Sequence, residues 1–168
     1  MDFRLTEEQQ ALQVAARDFA RGEMTAVAEQ IETDATPLSR EWLRRYAEMG
    51  FLGVNVPAAL GGLGLGNVDA FLVLEEFAKV SSAVAFPIFE SVAGPVHALA
   101  HFAGEGLKQR VIPAVCRGEM IVAVAMSEPD AGTALTDLRT RAEVRGDRVV
   151  INGAKRWCSG GGHSDAYL

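Results

Sequence analysis

Cysteine is nearly missing from this chain. The two present in 168 residues, Cys116 and Cys158, lie far apart and lack C-x-x-C spacing. That excludes a disulfide framework and a cysteine zinc site, and points to a reduced, cytoplasmic setting. Positive charge is also in deficit: 16 Lys and Arg stand against 22 Asp and Glu, a formal net charge of -6. The basic residues are scattered, so nothing offsets a field that repels a phosphate backbone, and no nucleic-acid partner is expected. Histidine is scarcer than either charge, with three in all. Two of them, His97 and His101, share a helix face at i, i+4. No third ligand and no H-E-x-x-H glutamate accompanies them, so no metal is expected there. The first residues, Met1-Asp-Phe-Arg-Leu-Thr-Glu-Glu8, lack the basic and apolar regions of a signal peptide. Between Val80 and Gly104 charge almost disappears, Glu90 being the single charged side chain. That stretch is long enough to cross a bilayer. Pro87, Pro95, His97, His101 and its serines instead favour a buried helix or helix pair, without membrane insertion.

What is present is a globular composition, 49% hydrophobic and 23% charged, with clear periodicities. Thr6-Glu-Glu-Gln9 has the form of a capping box. Leu12, Ala15, Ala16 and Phe19 follow at helical spacing; Met24, Val27 and Ile31 extend that face past Gly22, where a bend is expected. Ser39 can cap a helix carrying Trp42, Leu43, Tyr46 and Met49, with Gly50 suited to its C-terminal end. Phe51 to Val56 is a short apolar run. Gly61-Gly-Leu-Gly-Leu-Gly66 lacks G-x-G-x-x-G spacing and reads as a flexible connection. Asn67 is the expected cap of a helix holding Phe71, Leu74, Phe77 and Ala78. A last amphipathic helix opens at Gly104 and ends near Gly118.

From there the period changes. Met120 to Met126 is strand-like, Leu138 to Val144 alternates as a half-buried strand does, and Gly146-Asp147 suits a hairpin turn into Val149-Val-Ile151. Lys155 to Ser159 is the next expected strand, and Ala166-Tyr-Leu168 the start of one more. The fold class is therefore α+β: an all-α helical unit, residues 1–118, then the first strands of an antiparallel β-barrel or sandwich, residues 119–168. A sheet that begins near residue 120 and stops in mid-strand at Leu168 would leave an unpaired edge, so the chain is expected to be part of a longer protein.

Two stretches carry most of the chemical information. Val124-Ala-Met-Ser-Glu-Pro-Asp-Ala-Gly-Thr133 closes an apolar run with a polar Gly/Pro turn. Lys155-Arg-Trp-Cys-Ser-Gly-Gly161 sets a large aromatic beside a hydroxyl and glycines. With Met1-Asp-Phe-Arg-Leu-Thr-Glu-Glu-Gln9, with Gly50-Phe-Leu-Gly-Val-Asn-Val-Pro57 running into Gly61-Gly-Leu-Gly64, and with Gly104-Glu-Gly-Leu-Lys-Gln-Arg-Val-Ile-Pro113, they form one colinear set that resembles the acyl-CoA dehydrogenase family.

The resemblance implies FAD as cofactor and assigns roles residue by residue. Met126 and Ser127 would address the polar edge of the flavin ring. Gly132 and Thr133 would lie by the pyrophosphate, where glycine lets main-chain donors approach an anion. Trp157 would lie against the isoalloxazine, and Ser159 would direct its hydroxyl to N5. Several positions depart from the family pattern. Ala58-Ala-Leu60 replaces Glu-Glu-Tyr, Ser127 and Ser159 replace threonines, Thr133-Ala134 replaces Ser-Asp, and Gly160 replaces asparagine. Glu128 is read as a structural turn residue, Asp130 as solvent-facing and Cys158 as a packed thiol.

The implied reaction is α,β-dehydrogenation of an acyl-CoA, with hydride passing to flavin N5 and then electrons to an electron-transfer flavoprotein, in a homotetramer or a heterotetramer of related subunits. The family's C-terminal four-helix bundle, absent from these residues, would supply the catalytic glutamate; no catalytic residue is assigned in this chain. Two other readings share the fold: a non-catalytic fragment or subunit lending half a flavin site to a partner, and a flavin oxidase or monooxygenase.

Overall fold

The computed structural model describes residues 4–168, so Met1, Asp2 and Phe3 of the first motif lie outside the described residues. Six helices come first: α1 (Glu7–Asp34), α2 (Arg40–Glu48), α3 (Asn67–Ala78), α4 (Ser82–Val92), α5 (Pro95–Phe102) and α6 (Glu105–Cys116). Four short strands follow: β1 (Val122–Ala123), β2 (Arg141–Arg145), β3 (Arg148–Asn152) and β4 (Ala166–Tyr167).

The expected caps at the first two helices form. Thr6 Oγ1 accepts from Gln9 N–H at 3.2 Å while Gln9 Oε1 accepts from Thr6 N–H at 3.1 Å. Ser39 accepts from Trp42 N–H, and α2 closes at Met49 with Gly50 following at φ 78°. At Gly22, the expected place of a bend, α1 continues without a break through its 28 residues. Gly22 is exposed with open space where a Cβ would sit, so it lowers helix propensity without admitting anything that could break the ladder. Ala15 also faces out, and Met49 is exposed.

The core is built where α1, α2, α3 and α4 meet. Phe19, Tyr46, Phe51 and Phe77 form one aromatic cluster, mostly edge-to-face, with centroids 5.0–5.9 Å apart. The Tyr46 hydroxyl, fully buried, donates to Val84 O at 3.1 Å. Beside this cluster Glu76 is 1% exposed; Arg17 grips both its oxygens at 3.2 Å and Lys79 adds a third bond at 2.9 Å. Arg17 foremost among these partners holds the Glu76 carboxyl below its ordinary range, against the opposing effect of burial. The nearly uncharged stretch becomes α4 and α5, broken at Ala93-Gly94; by length and composition 82–102 could cross a membrane, but Val84, Ile88, Val92, Val96 and Leu99 are buried in the core.

Two expectations about the connections need correction. The glycine-rich segment is tied rather than loose: Leu63 N–H donates to Gly53 O, Gly64 N–H to Val56 O and Leu65 N–H to Val54 O, at 2.8–2.9 Å. Gly62 lies flush against the Val56 backbone with no room for a Cβ. The cap of α3 is Gly66, whose N–H donates to Asp69 Oδ2 at 2.8 Å; Asn67 is the first helical residue, and its side-chain oxygen accepts from Asn55.

The β region departs further from expectation. β2 and β3 form the antiparallel hairpin, Arg145 opposite Arg148 around Gly146 at φ 65°, but β2 is exposed along its whole length rather than half-buried. Of the expected strand 120–126, Val122–Ala123 forms β1, paired with β4 in parallel rather than antiparallel register, and bonds from Asp165 N–H to Ile121 O and from Ala125 N–H to Leu168 O continue the pairing on either side. Lys155 to Ser159 forms no strand: Lys155 and Arg156 are bonded back to residues 126–129, and Trp157 sits at φ 63°, which ends any extended run. A second core under α5 and α6, including Val56, Leu99, Ile112 and Val122, joins the helices to β1.

Candidate functional site

The two motifs singled out in sequence meet in space. Arg156 N–H donates to Ser127 O at 3.0 Å, Lys155 Nζ to Met126 O at 2.9 Å, and the Arg156 guanidinium to Pro129 O at 3.2 Å. Residues 25 or more positions apart are thereby stitched into one surface by main-chain acceptors, which depend on backbone position rather than on side-chain identity.

Glu128 is the knot of this stitching. Its side chain is 7% exposed and accepts from Arg139 N–H at 2.7 Å, Thr140 N–H at 2.9 Å and Lys155 Nζ at 2.9 Å. Its backbone exchanges two bonds with Ala131, closing the Pro129-Asp130 turn. Hydrogen bonds from Thr140, Arg139 and Lys155 hold the carboxyl down at about 2. A group so committed is a structural anchor, as expected, and unsuited to take a proton at neutral pH. Asp130 is exposed and pairs with Arg139 at 3.7 Å; Cys158 is half-buried.

The six expected site residues fall into two groups. Ser127, half-buried, and Met126, 46% exposed, adjoin the second motif through the bonds above. Trp157 is 79% exposed, with the Arg156 guanidinium 4.3 Å from its ring centroid. Ser159 lines two cavities. Gly132 and Thr133 lie further along the first motif, both exposed, and among the described residues no hydrogen bond draws them to the second motif. A Cβ at Gly132 would meet no atom within 4 Å, so the chain itself does not demand glycine there.

The larger cavity, ≈ 380 Å³, opens between α1, α2, α4 and the 159–164 loop. Its walls are largely apolar, with Leu38, Leu43, Phe86 and Ile121 among them. The smaller, ≈ 240 Å³, lies between α4, the start of α5 and Val124. Phe86, Glu90 and Ser159 line both. Burial pushes the Glu90 carboxyl up to about 7. The loop that carries Ser159 is held from the helical side: Arg40 grips Asp165 through two bonds of 2.7 and 3.0 Å and donates to His163 O, while Asp165 also accepts from Ile121 N–H. Sequence reading missed this clamp, since nothing local links residues 125 positions apart. It also missed Lys155, whose only signal was its place in the motif. Among the described residues no cluster of three or more metal-ligating side chains occurs, and His97 and His101 stand without a third ligand.

Comparison with known proteins gives a consistent result. Residues 6–119 match the family model described as acyl-CoA dehydrogenase, N-terminal domain, and residues 123–168 that of the acyl-CoA dehydrogenase middle domain. The 3-sulfinopropanoyl-CoA desulfinase of Advenella mimigardefordensis is 33% identical over 99% of this chain and 41% of its own length. The solved complex of glutaryl-coenzyme A dehydrogenase with glutaryl-CoA is 31% identical, with a TM-score of 0.92 over 99% of this chain and 43% of that one. The FAD complex of PigA is 27% identical, with a TM-score of 0.89 over 99% and 44%. The chain thus spans less than half the length of these relatives.

Proposed function

The chain belongs to the acyl-CoA dehydrogenase family, and from that premise we propose that it forms part of an FAD-dependent enzyme that dehydrogenates an acyl-CoA thioester between Cα and Cβ. The carrying observation is the pair of motifs bonded into one surface, with exposed Trp157 on it and Ser159 among the residues lining the apolar cavities. Two features fit FAD in particular. A tryptophan left 79% exposed offers an aromatic wall to a planar ring. The open space at Gly132 lets main-chain donors approach a pyrophosphate.

When bound, FAD supplies the hydride acceptor. Trp157 would flank the isoalloxazine, Met126 and Ser127 its polar edge, Gly132 and Thr133 the pyrophosphate, and the Ser159 hydroxyl N5. The residues of this chain bind, orient and exclude water; Glu128, held ionised by three donors, keeps the platform in register and takes no proton. The base that removes the α-proton is expected elsewhere in the protein. We further propose an electron-transfer flavoprotein as acceptor, a tetrameric assembly and, on the two free cysteines, a cytoplasmic setting.

Anaerobic addition of an acyl-CoA to the full-length, FAD-loaded protein tests the reading. Bleaching of the yellow flavin, with electrons passed on to an electron-transfer flavoprotein rather than to oxygen, is expected. A homogeneous, flavin-loaded protein that no acyl-CoA reduces would overturn it.

A further inference from the structure

The charge inventory of the two cavities carries a statement about substrate. Phe86, Glu90 and Ser159 line both, so Glu90 stands where the spaces adjoin. Its carboxyl has no hydrogen-bond or ion-pair partner among the described residues. Among the described residues, the remaining walls are Phe, Pro, Leu, Ile, Val, Ala and Gly with a few hydroxyls; His163, on the 159–164 loop, is the other titratable side chain there, and none of those lining either space is lysine or arginine. Two of the relatives named above handle acyl groups that end in an anion, a sulfinate in one and a carboxylate in the other.

An anion moved from water into an apolar cavity loses its hydration and needs a counter-charge or a set of donors in exchange. Here it would meet another carboxyl group. Two carboxylates at one site repel, and the alternative, protonating one of them, becomes costly as the pH rises above its range. An uncharged aliphatic end meets no such penalty and gains contact with Phe86, Phe89 and Val124.

Resting on the dehydrogenase reading, we propose that this protein takes an uncharged acyl group and rejects one ending in a carboxylate or sulfinate, with Glu90 as the specificity-determining residue. The test compares valeryl-CoA with glutaryl-CoA, which share a chain length and differ by the terminal carboxylate. The readout is anaerobic flavin bleaching of the full-length, FAD-loaded protein at about pH 8.5, above the value of about 7 to which burial pushes the Glu90 carboxyl. The kcat/KM for glutaryl-CoA is expected to be lower by about 100-fold. Glu90→Gln, which keeps the shape and removes the charge, should move the ratio toward glutaryl-CoA by about tenfold. Bleaching by both thioesters at similar rates in the wild type, or an unchanged ratio in Glu90→Gln, would overturn this inference alone. Bleaching by neither thioester, nor by any other acyl-CoA, would overturn the dehydrogenase reading and this inference with it.

Discussion

Truncating Phe77 to alanine removes the ring on which the first core is centred. Phe77 is fully buried and packs against Phe19, Tyr46 and Phe51 at centroid distances of 5.8, 5.0 and 5.3 Å. The loss combines transfer free energy with a cavity that three other rings cannot readily fill, about 3–5 kcal/mol for such a truncation. Edge-to-face contacts with Tyr46 and Phe51 place the expected value in the upper part of that range. At about 2–4 °C per kcal/mol for a unit of this size, Tm should fall by roughly 8–20 °C. Thermal or urea unfolding followed by far-ultraviolet circular dichroism measures it. Tyr46→Phe is the matched control: it keeps the ring and deletes only the hydroxyl bonded to Val84 O, at a cost of about 1 kcal/mol. A Phe77→Ala loss below about 1 kcal/mol, or no greater than that of Tyr46→Phe, would refute the placement of Phe77 at the centre of the core.

Acid sensitivity should report on Glu128. Its folded carboxyl lies at about 2 against an ordinary 4.5, so the stabilisation it contributes is complete above the unfolded value and is lost as pH falls from 4.5 through about 2. Acid-unfolding curves of the wild type and Glu128→Gln should therefore converge over that window, and a difference independent of pH would contradict the assignment. Two glycines should respond with opposite sign. Gly118→Ala would put a Cβ 2.5 Å from Leu43 O at φ 68° and should destabilise by about 1–3 kcal/mol or more. Gly22→Ala, in open space inside α1, should stabilise by about 0.5–1 kcal/mol. Thermal unfolding of the two variants checks both signs.

Local chemistry was readable from the sequence, and long-range commitments were not. The Thr6 and Ser39 caps and the Gly146 turn depend on a handful of adjacent residues, and all three form. The expected strand from Lys155 to Ser159 failed because its residues are claimed by partners almost thirty positions away, at Met126, Ser127, Glu128 and Pro129. The same bonds are what join the two flavin-like motifs, so the feature that defeated the strand assignment builds the candidate site. Ion pairs such as Arg17 with Glu76 and Arg40 with Asp165 leave no periodic trace. A glutamate in α3 reads as a surface residue until the fold brings Arg17 to it. Parallel pairing of β1 with β4 is likewise settled by tertiary placement rather than by two-residue strands.

The central claim is that two separated motifs form one flavin-binding surface, and titration of the full-length apoprotein with FAD, followed by flavin fluorescence, tests it most directly. The wild type should bind one FAD per chain. Lys155→Met, which cuts the bonds to Met126 O and Glu128 without touching Trp157 or Ser159, should weaken binding by about tenfold. Trp157→Ala should weaken it to a similar degree. Failure of the folded wild type to bind FAD, or an affinity left unchanged by both substitutions, would contradict the account.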